Sequence, residues 1–336
     1  MNILVYNYSK VLFFKVIIRM RYHPSWWLKN GHLQSIYPSV FRKLDDHFFV
    51  KERIDTPDGD FIDLDWARSG NKRLLILTHG LEGHSRRPYM LGMANTALQH
   101  QWDVLAWNFR SCSGEPNRHL SSYHSGATLD LSTVIDYAQS KSYEEIALVG
   151  FSIGGNKTLI HLGKSNARLS KKILGAVVFS VPCDLKTSSV QLAEPRNRIY
   201  MKNFLSSLKQ KLKAKQRLYP DEIDLKGFSK IKNFHDFDGR YTAPMNGFDS
   251  AEDYWQRSSS KQYIEKITIP TLMVSAKDDP FLTPECYPRE IVENNPKVIL
   301  EIPEFGGHVG FMSFNRKNRY WSEQRAIDFL GELSSL

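Results

Sequence analysis

The fold is set by residues 146–155, which read Ile146-Ala-Leu-Val-Gly150-Phe-Ser152-Ile-Gly154-Gly155. The four apolar residues predict a buried strand, and the stretch from Gly155 to Gly163 predicts an amphipathic helix. Between them stands a serine on a sharp turn, where side chains at positions 150 and 154 would collide with neighbouring backbone. The start of a helix also adds positive potential, which favours a developing anion. This arrangement is typical of a nucleophile elbow and makes Ser152 the candidate nucleophile.

Short apolar runs alternate with helical stretches along most of the chain. Two alternating segments, 48–54 and 61–66, flank the turn Thr56-Pro-Asp-Gly59 and predict an antiparallel hairpin. The predicted buried strands are Leu74–Thr78, Asp103–Asn108, Glu145–Val149, Ile173–Ser180, Thr271–Ser275 and Val298–Ile302, and the predicted helices include Tyr89–His100, Ala127–Ser140 and Gly155–Gly163. This order predicts an α/β fold, with a mostly parallel central sheet covered by helices on both faces.

The alternation is interrupted between Pro182 and Lys266, where about 85 residues separate two predicted strands. So long a connection is not a plain loop. Its helical stretches, Ala193–Arg217 and Ser250–Tyr263, predict a helical cap inserted over the carboxyl edge of the sheet, where α/β folds bind ligands. We therefore expect a single domain over residues 21–336, with the cap at about 182–266 and an N-terminal extension at 1–20.

The charge of the chain gives little support to a nucleic-acid partner. The formal net charge is +9, from 45 Lys and Arg against 36 Asp and Glu among 336 residues. The basic residues are spread along the chain, and the densest run, Lys202 to Arg217, predicts one cationic helix face. The sequence contains neither zinc-finger spacing nor an RNA-binding aromatic signature. We predict that the protein does not bind nucleic acid.

Cysteine usage and the N-terminus bear on location. Cys112, Cys183 and Cys286 are odd in number and far apart, which predicts neither a disulfide framework nor a metal site and favours a reducing compartment. Residues 1–20 contain two apolar runs interrupted by basic residues, so they fit neither a spanning helix nor a signal peptide. We predict a cytoplasmic protein. Two alternatives remain for residues 1–20. They form an interfacial helix with peripheral membrane contact, or they are an upstream extension of a protein that begins at Met20.

A nucleophilic serine needs a base and an orienting acid, which in this type of fold follow it along the chain. His308 lies in Gly306-Gly-His-Val-Gly310 after the last predicted strand, and it is the one histidine C-terminal to the candidate acids. The acid is Asp278 or Asp279. We choose Asp279, because it precedes Pro280-Phe-Leu as the orienting aspartate does in many such enzymes. Asp278 would then cap the turn or bond its backbone.

Acyl transfer also needs two donors aimed at the oxyanion. The backbone N–H of Ile153, after the nucleophile, is the first candidate. The second is the N–H of Leu81, in the segment His79-Gly-Leu-Glu-Gly83 that follows an earlier strand. His79 and His84 are interpreted as polar residues that brace this loop, since no carboxylate or cysteine shares their spacing. We expect neither a metal nor a cofactor.

Several separated motifs resemble the YheT-like α/β hydrolases, a group that includes plant embryogenesis-associated hydrolases and animal phospholipase-like relatives. The matching segments are Lys29-Asn-Gly-His-Leu-Gln34, His79-Gly-Leu-Glu-Gly83, Asn108-Phe-Arg-Ser-Cys-Ser-Gly114, Tyr123-His-Ser-Gly126, Gly150-Phe-Ser-Ile-Gly-Gly-Asn156, Phe237-Asp-Gly-Arg-Tyr-Thr-Ala-Pro244 and Gly306-Gly-His-Val-Gly-Phe311. The resemblance runs from about Tyr22 to the C-terminus. One departure is Ser111, where the family usually has glycine.

The resemblance implies an α/β-hydrolase fold and a serine hydrolase with the triad Ser152, Asp279 and His308. It further implies a carboxylesterase or acylglycerol lipase-like activity on short or medium acyl esters, so the expected partner is a small-molecule ester or lipid. Three alternatives remain open: an acyltransferase on the same triad, a catalytically silent scaffold that binds ligands, and a membrane-surface binder using residues 1–20 and the cationic cap. Residues 30–32 line the mouth of the site or brace the cap.

Overall fold

A computed structural model describes residues 22–165, 169–315 and 317–334. Within these residues eight strands form one sheet in the order β1-β2-β4-β3-β5-β6-β7-β8. Strand β2 is antiparallel to β1 and β4, and the other neighbouring pairs are parallel. The strands are β1 Val50–Asp55, β2 Phe61–Ala67, β3 Arg73–Thr78, β4 Trp102–Trp107, β5 Glu145–Phe151, β6 Ile173–Phe179, β7 Thr271–Val274 and β8 Val298–Glu301.

Helices connect most of these strands, and further helices lie before β1 and after β8 in the chain. In the described residues they are α1 Gly31–Phe41, α2 Pro88–Gln99, α3 Leu129–Gln139, α4 Ile153–Ser165, α5 Leu185–Ala193, α6 Arg198–Gln216, α7 Phe234–Phe237, α8 Ala243–Met245, α9 Ala251–Ser258, α10 Arg289–Asn294 and α11 Trp321–Ser334. Short 3-10 segments occur at 26–28, 195–197, 228–230, 260–266 and 284–286, and one π-helical turn at 238–242.

The core has two layers because successive side chains of a strand point to opposite faces of the sheet. In β3, Leu74 and Ile76 pack with residues of α3 and α4, whereas Leu75 and Leu77 pack with residues of α2 and α11. All four side chains are fully buried, and each such burial contributes about 2 kcal/mol to stability. The predicted α/β fold, with a mostly parallel sheet between two helical layers, is confirmed.

The strands agree with the sequence prediction to within two residues at each end, but the helices of the insertion differ more. The predicted helix Ala193–Arg217 is broken at Pro195, and Glu194 before it has an extended ψ of 144°. Proline lacks an amide hydrogen and disfavours helical backbone in the preceding residue, so α5 ends and α6 begins anew at Arg198. The predicted helix Ser250–Tyr263 ends at Ser258, because Ser259 has extended backbone, and a separate 3-10 segment follows at Ser260–Lys266.

Residues 182–266, which we call the insertion, carry helices α5 to α9 and their own hydrophobic cluster. Phe228, Phe234 and Phe237 pack there with residues of α5, α6 and α9. The cationic helix face predicted for Lys202 to Arg217 lies on α6, but not all of its lysines are exposed. Lys215 is almost fully buried and donates to Asn117 Oδ1 at 2.7 Å, while Lys211 donates to Glu82 Oε1 at 2.9 Å. These lysines therefore tie the insertion to loops of the sheet domain.

Helix α1 was not predicted, although it packs close to the sheet's carboxyl edge. Asn30 caps it by accepting a hydrogen bond from Leu33 N at 2.9 Å. None of the helices in the described part of the chain has both the length and the hydrophobicity to cross a membrane. The predicted interfacial helix within residues 1–20 lies outside the described residues.

Candidate active site

Ser152 lies at the turn between β5 and α4. Its φ of +54° places it in the left-handed region that non-glycine residues rarely adopt, and its amide donates to Phe179 O at 2.8 Å. A Cβ at Gly154 would lie 2.4 Å from the carbonyl oxygens of Thr78 and His79. Glycine at this position therefore lets α4 pack directly against the end of β3 and holds the strained serine at the carboxyl edge of the sheet.

The structure brings Ser152, His308 and Asp279 together from three loops. Ser152 Oγ and His308 Nε2 are 2.9 Å apart. His308 Nδ1 lies 2.9 Å from Asp279 Oδ2 and 3.1 Å from Asp279 Oδ1. The carboxylate is fully buried and the imidazole nearly so. This arrangement allows the imidazole to accept the serine proton while the carboxylate fixes its tautomer and stabilises its charged form.

The loop that carries His308 is held by three consecutive amides, each with a side-chain acceptor from a different segment. Gly307 N donates to Asp278 Oδ1 at 2.9 Å, His308 N to Ser35 Oγ at 2.8 Å, and Val309 N to Ser180 Oγ at 2.9 Å. The loop needs this support because Val309 is β-branched and yet has a φ of +62°. Sequence reasoning missed Ser35 and Ser180, since neither belongs to a catalytic motif.

The two adjacent carboxylates have different environments. Asp279 faces the histidine, and its Oδ1 also accepts the amide of Phe281 at 2.9 Å. Asp278 contacts only backbone through Oδ1, and its buried Oδ2 has no partner within the described part of the chain. Burial is the main cause that raises the pKa of Asp278 to about 6, and the negative charge of Asp279 raises it further. The hydrogen bond from the amide of Gly307 opposes this shift.

The segment after β3 places one further amide beside the nucleophile. The neighbouring amides are occupied: Gly80 N donates to Tyr89 Oη at 2.9 Å, and Glu82 N donates to Tyr123 Oη at 3.2 Å. Leu81 N donates to no acceptor in the described residues. Leu81 and Ile153 both line the same pocket as Ser152, so their amides are available as the pair of oxyanion donors.

His79 is fixed as a neutral imidazole below this loop. Its Nε2 accepts the amide of Phe109 at 3.0 Å, so Nδ1 carries the hydrogen that it donates to Gly80 O at 2.8 Å. Complete burial lowers the pKa of His79 well below its usual value. Because Gly80 C=O and Leu81 N–H belong to one planar peptide, His79 orients the candidate oxyanion donor.

A mostly apolar pocket connects the nucleophile to the insertion. Ser152, His308 and Leu81 form its floor, and the insertion supplies most of the remaining wall. The apolar lining includes Leu185, Phe204, Leu208, Phe234, Phe237 and Phe281. Such a wall suits a hydrocarbon group bound next to an attacking serine.

Three other motif residues form hydrogen bonds or ion pairs that hold loops together. Arg110 pairs with Asp58 and Asp130, and Asn30 caps α1. Ser111, the departure from the family pattern, has a φ of +63°, and its hydroxyl bonds Asn117. Among the described residues no group of three or more His, Cys, Asp or Glu could hold a metal ion.

The sheet order and the contacts among Ser152, His308 and Asp279 fit an esterase- or lipase-type hydrolase, and the comparisons show this class. Residues 73–314 match the family described as "alpha/beta hydrolase fold". The chain belongs to this family and is a carboxylic ester hydrolase.

Two relatives and one solved structure are similar over most of the chain. Escherichia coli (strain K12) "Putative esterase YheT" is 34% identical over 315 residues, covering 91% of this chain and 92% of that protein. Mus musculus "Phospholipase ABHD3" is 27% identical over 307 residues, covering 88% and 74%. The Pyrococcus furiosus esterase Pf2001 structure superposes with a TM-score of 0.58 at 18% identity, covering 93% of this chain and all of that one, which shows the shared fold.

Proposed function

We propose that the protein cleaves short- or medium-chain carboxylic esters, including acylglycerols, through a covalent acyl-serine at Ser152. The observation that carries this proposal is the continuous contact from Ser152 Oγ through His308 to Asp279, with both steps at 2.9 Å. The relatives named as an esterase and a phospholipase support the same chemical class.

In the first half of the reaction, Ser152 Oγ attacks the ester carbonyl while His308 Nε2 accepts the hydroxyl proton. Asp279 stabilises the resulting imidazolium. The amides of Leu81 and Ile153 donate to the oxyanion. One such donor typically lowers the activation free energy by about 3 kcal/mol. When the intermediate collapses, His308 protonates the departing alcohol oxygen, leaving the acyl group on the serine.

In the second half, water takes the place of the alcohol. His308 accepts a proton from the water, whose oxygen attacks the acyl carbonyl, and the same two amides stabilise the second oxyanion. Collapse of that intermediate returns the proton to Ser152 Oγ and releases the carboxylic acid. The residues of the triad supply every proton transfer in this scheme.

The apolar wall of the insertion supports an acyl group as the portion of the substrate bound in the pocket. A series of soluble p-nitrophenyl esters with increasing acyl length measures this preference, because each additional methylene that the pocket buries adds about 0.8 kcal/mol. We expect kcat/KM to rise with acyl length and then reach a plateau when the pocket is filled. A rate independent of acyl length would contradict binding of the acyl group against the apolar wall of this pocket.

The nucleophile is tested by labelling with a fluorophosphonate probe, followed by mass spectrometry of the labelled peptide. We expect wild-type protein to be labelled at Ser152 and Ser152→Ala to be unlabelled. Ser188→Ala, which removes another serine of the same pocket, is the matched control and should remain labelled. A folded wild-type protein that does not react would refute the proposal.

We also propose a cytoplasmic location. The three cysteines are free and buried, as is usual for proteins of reducing compartments.

A further inference from the structure

Exposed aromatic side chains gather on one face of the protein beside helix α1. Of the eleven exposed large apolar side chains in the described part of the chain, six lie here. These six residues, which we call the α1 patch, are Trp26, Trp27, Ile36, Val40, Phe41 and Phe314. The other five are distributed over β1, the insertion and α3, so the α1 patch is a local concentration and not part of a generally apolar surface.

Ring contacts through the half-buried Tyr37 connect three of the patch residues, and Trp26 precedes Trp27 in the same 3-10 turn. The rings of Trp27 and Phe314 are 5.1 Å apart, those of Phe314 and Tyr37 are 6.1 Å apart, and those of Tyr37 and Phe41 are 4.9 Å apart. Ile36 and Val40 lie one helical turn apart, so they extend the same side of α1. Trp26 is 82% exposed and Phe41 is 63% exposed, which is unusual for side chains of this size.

The charged residues within the two segments that form the patch are all basic, whereas the exposed carboxylates Asp45 and Glu304 lie just outside them. Residues 22–44 and 305–322, the two segments that form it, contain no Asp or Glu. Lys29, Lys43 and Lys317 are exposed within these segments. Exposed aromatic residues bordered by lysines match the composition of surfaces that bind the interfacial region of an anionic bilayer.

The opposite side of α1 holds the candidate active site. Ser35 accepts the amide of His308 at 2.8 Å, and Gly31 packs so closely that a Cβ there would lie 1.9 Å from Asp278 O. A surface bound through the α1 patch would therefore lie one helix diameter from the catalytic loops.

We propose that the α1 patch is a docking surface for an anionic phospholipid bilayer, with Trp26, Phe41 and Phe314 inserted at headgroup level and the three lysines facing lipid phosphates. The proposal is independent of the proposed ester hydrolysis, because it concerns a surface outside the pocket. It also differs from a contact made by residues 1–20, since it assigns binding to folded residues of the described chain.

The test is co-sedimentation of the full-length protein with phosphatidylcholine vesicles that contain phosphatidylglycerol. The patch variant replaces Trp26, Phe41 and Phe314 with Ala. The matched control replaces Val50, Leu129 and Leu218 with Ala, which are exposed to a similar degree elsewhere. We expect the patch variant to lose vesicle affinity by at least about tenfold and the control to bind like wild type. Circular dichroism and hydrolysis of a soluble ester report folding separately from binding.

Three further measurements separate the proposal from its rivals. Charge reversal of Lys29, Lys43 and Lys317 to Glu should abolish the preference for phosphatidylglycerol over pure phosphatidylcholine vesicles. A protein that begins at Met20 should keep binding that depends on the patch, and loss of all binding in that variant would overturn the proposal. Light scattering that shows a wild-type dimer and a monomeric patch variant, without vesicle binding by either, would assign the patch to a second copy of the chain and also overturn it.

Discussion

Replacing Asp279 with Asn should reduce kcat by about 10³–10⁴-fold, which corresponds to about 4–5 kcal/mol of transition-state stabilisation. The size follows from the geometry, since both oxygens of this fully buried carboxylate lie within 3.1 Å of His308 Nδ1. An amide at this position carries no charge to stabilise the imidazolium. It can also donate to Nδ1, and this would place the imidazole hydrogen on Nε2, where the serine proton must be accepted.

The matched control is Asp278→Asn, one residue earlier in the same loop. Asparagine keeps an oxygen to accept the amide of Gly307, so we expect kcat to change by less than about threefold, within the range of one weakened hydrogen bond. Both variants are assayed at saturating concentrations of a soluble p-nitrophenyl ester near neutral pH, with circular dichroism to verify folding. If Asp278→Asn inactivates the enzyme and Asp279→Asn does not, the assignment of the acid is refuted.

Three further predictions address the loops around the triad and the insertion. Ser35→Ala removes the acceptor of the His308 amide and should lower kcat by about tenfold with little change in KM. The control, Ser39→Ala, lies one turn further along α1 and should leave the kinetics unchanged. Equal kinetics for the two variants would contradict a positioning role for Ser35. Gly31→Ala should lower the free energy of unfolding by about 2–3 kcal/mol in urea titrations, because its Cβ would clash with Asp278 O, whereas Gly239→Ala, with no neighbour within 4 Å, should be tolerated. Burial raises the pKa of Asp238 from 3.8 to about 6 in the folded protein, so folding favours its protonated form. The free energy of unfolding should therefore decline as pH rises from about 4 to about 6. Asp238→Asn should reduce this dependence on pH in urea titrations, and an unchanged dependence would argue against the raised pKa.

The sequence was sufficient to predict the sheet, and the three side chains that it singled out as a triad lie within hydrogen-bond distance of one another. Buried parallel strands are short apolar runs, and the glycines around Ser152 are required by close backbone contacts, so both leave strong local patterns. The choice between Asp278 and Asp279 depended on the neighbouring Pro280 and stays a prediction. In the structure the Asp279 carboxylate contacts His308 Nδ1, whereas the Asp278 carboxylate accepts the amide of Gly307.

Structural features that depend on contacts between distant parts of the chain have weaker signatures in the sequence. Helix α1 begins at Gly31 and contains Pro38, and both are poor helix formers, so its sequence did not favour a helix. Lys211 and Lys215 belong to a basic run that looks solvated, yet their amines reach carboxylate and carbonyl oxygens of other loops. Ser35 and Ser180 are ordinary serines until the fold brings them to the histidine loop.

The three-point support of the histidine loop makes the position of His308 depend on Ser35, Ser180 and Asp278, which are far apart in the chain. The segment shared with the α/β-hydrolase family, residues 73–314, contains Ser152, Asp279 and His308 but not Ser35. A fragment cut at those limits would keep the candidate triad but lose the acceptor of the His308 amide, together with β1, β2 and α11. We therefore expect an active unit of this protein to require residues on both sides of the family segment.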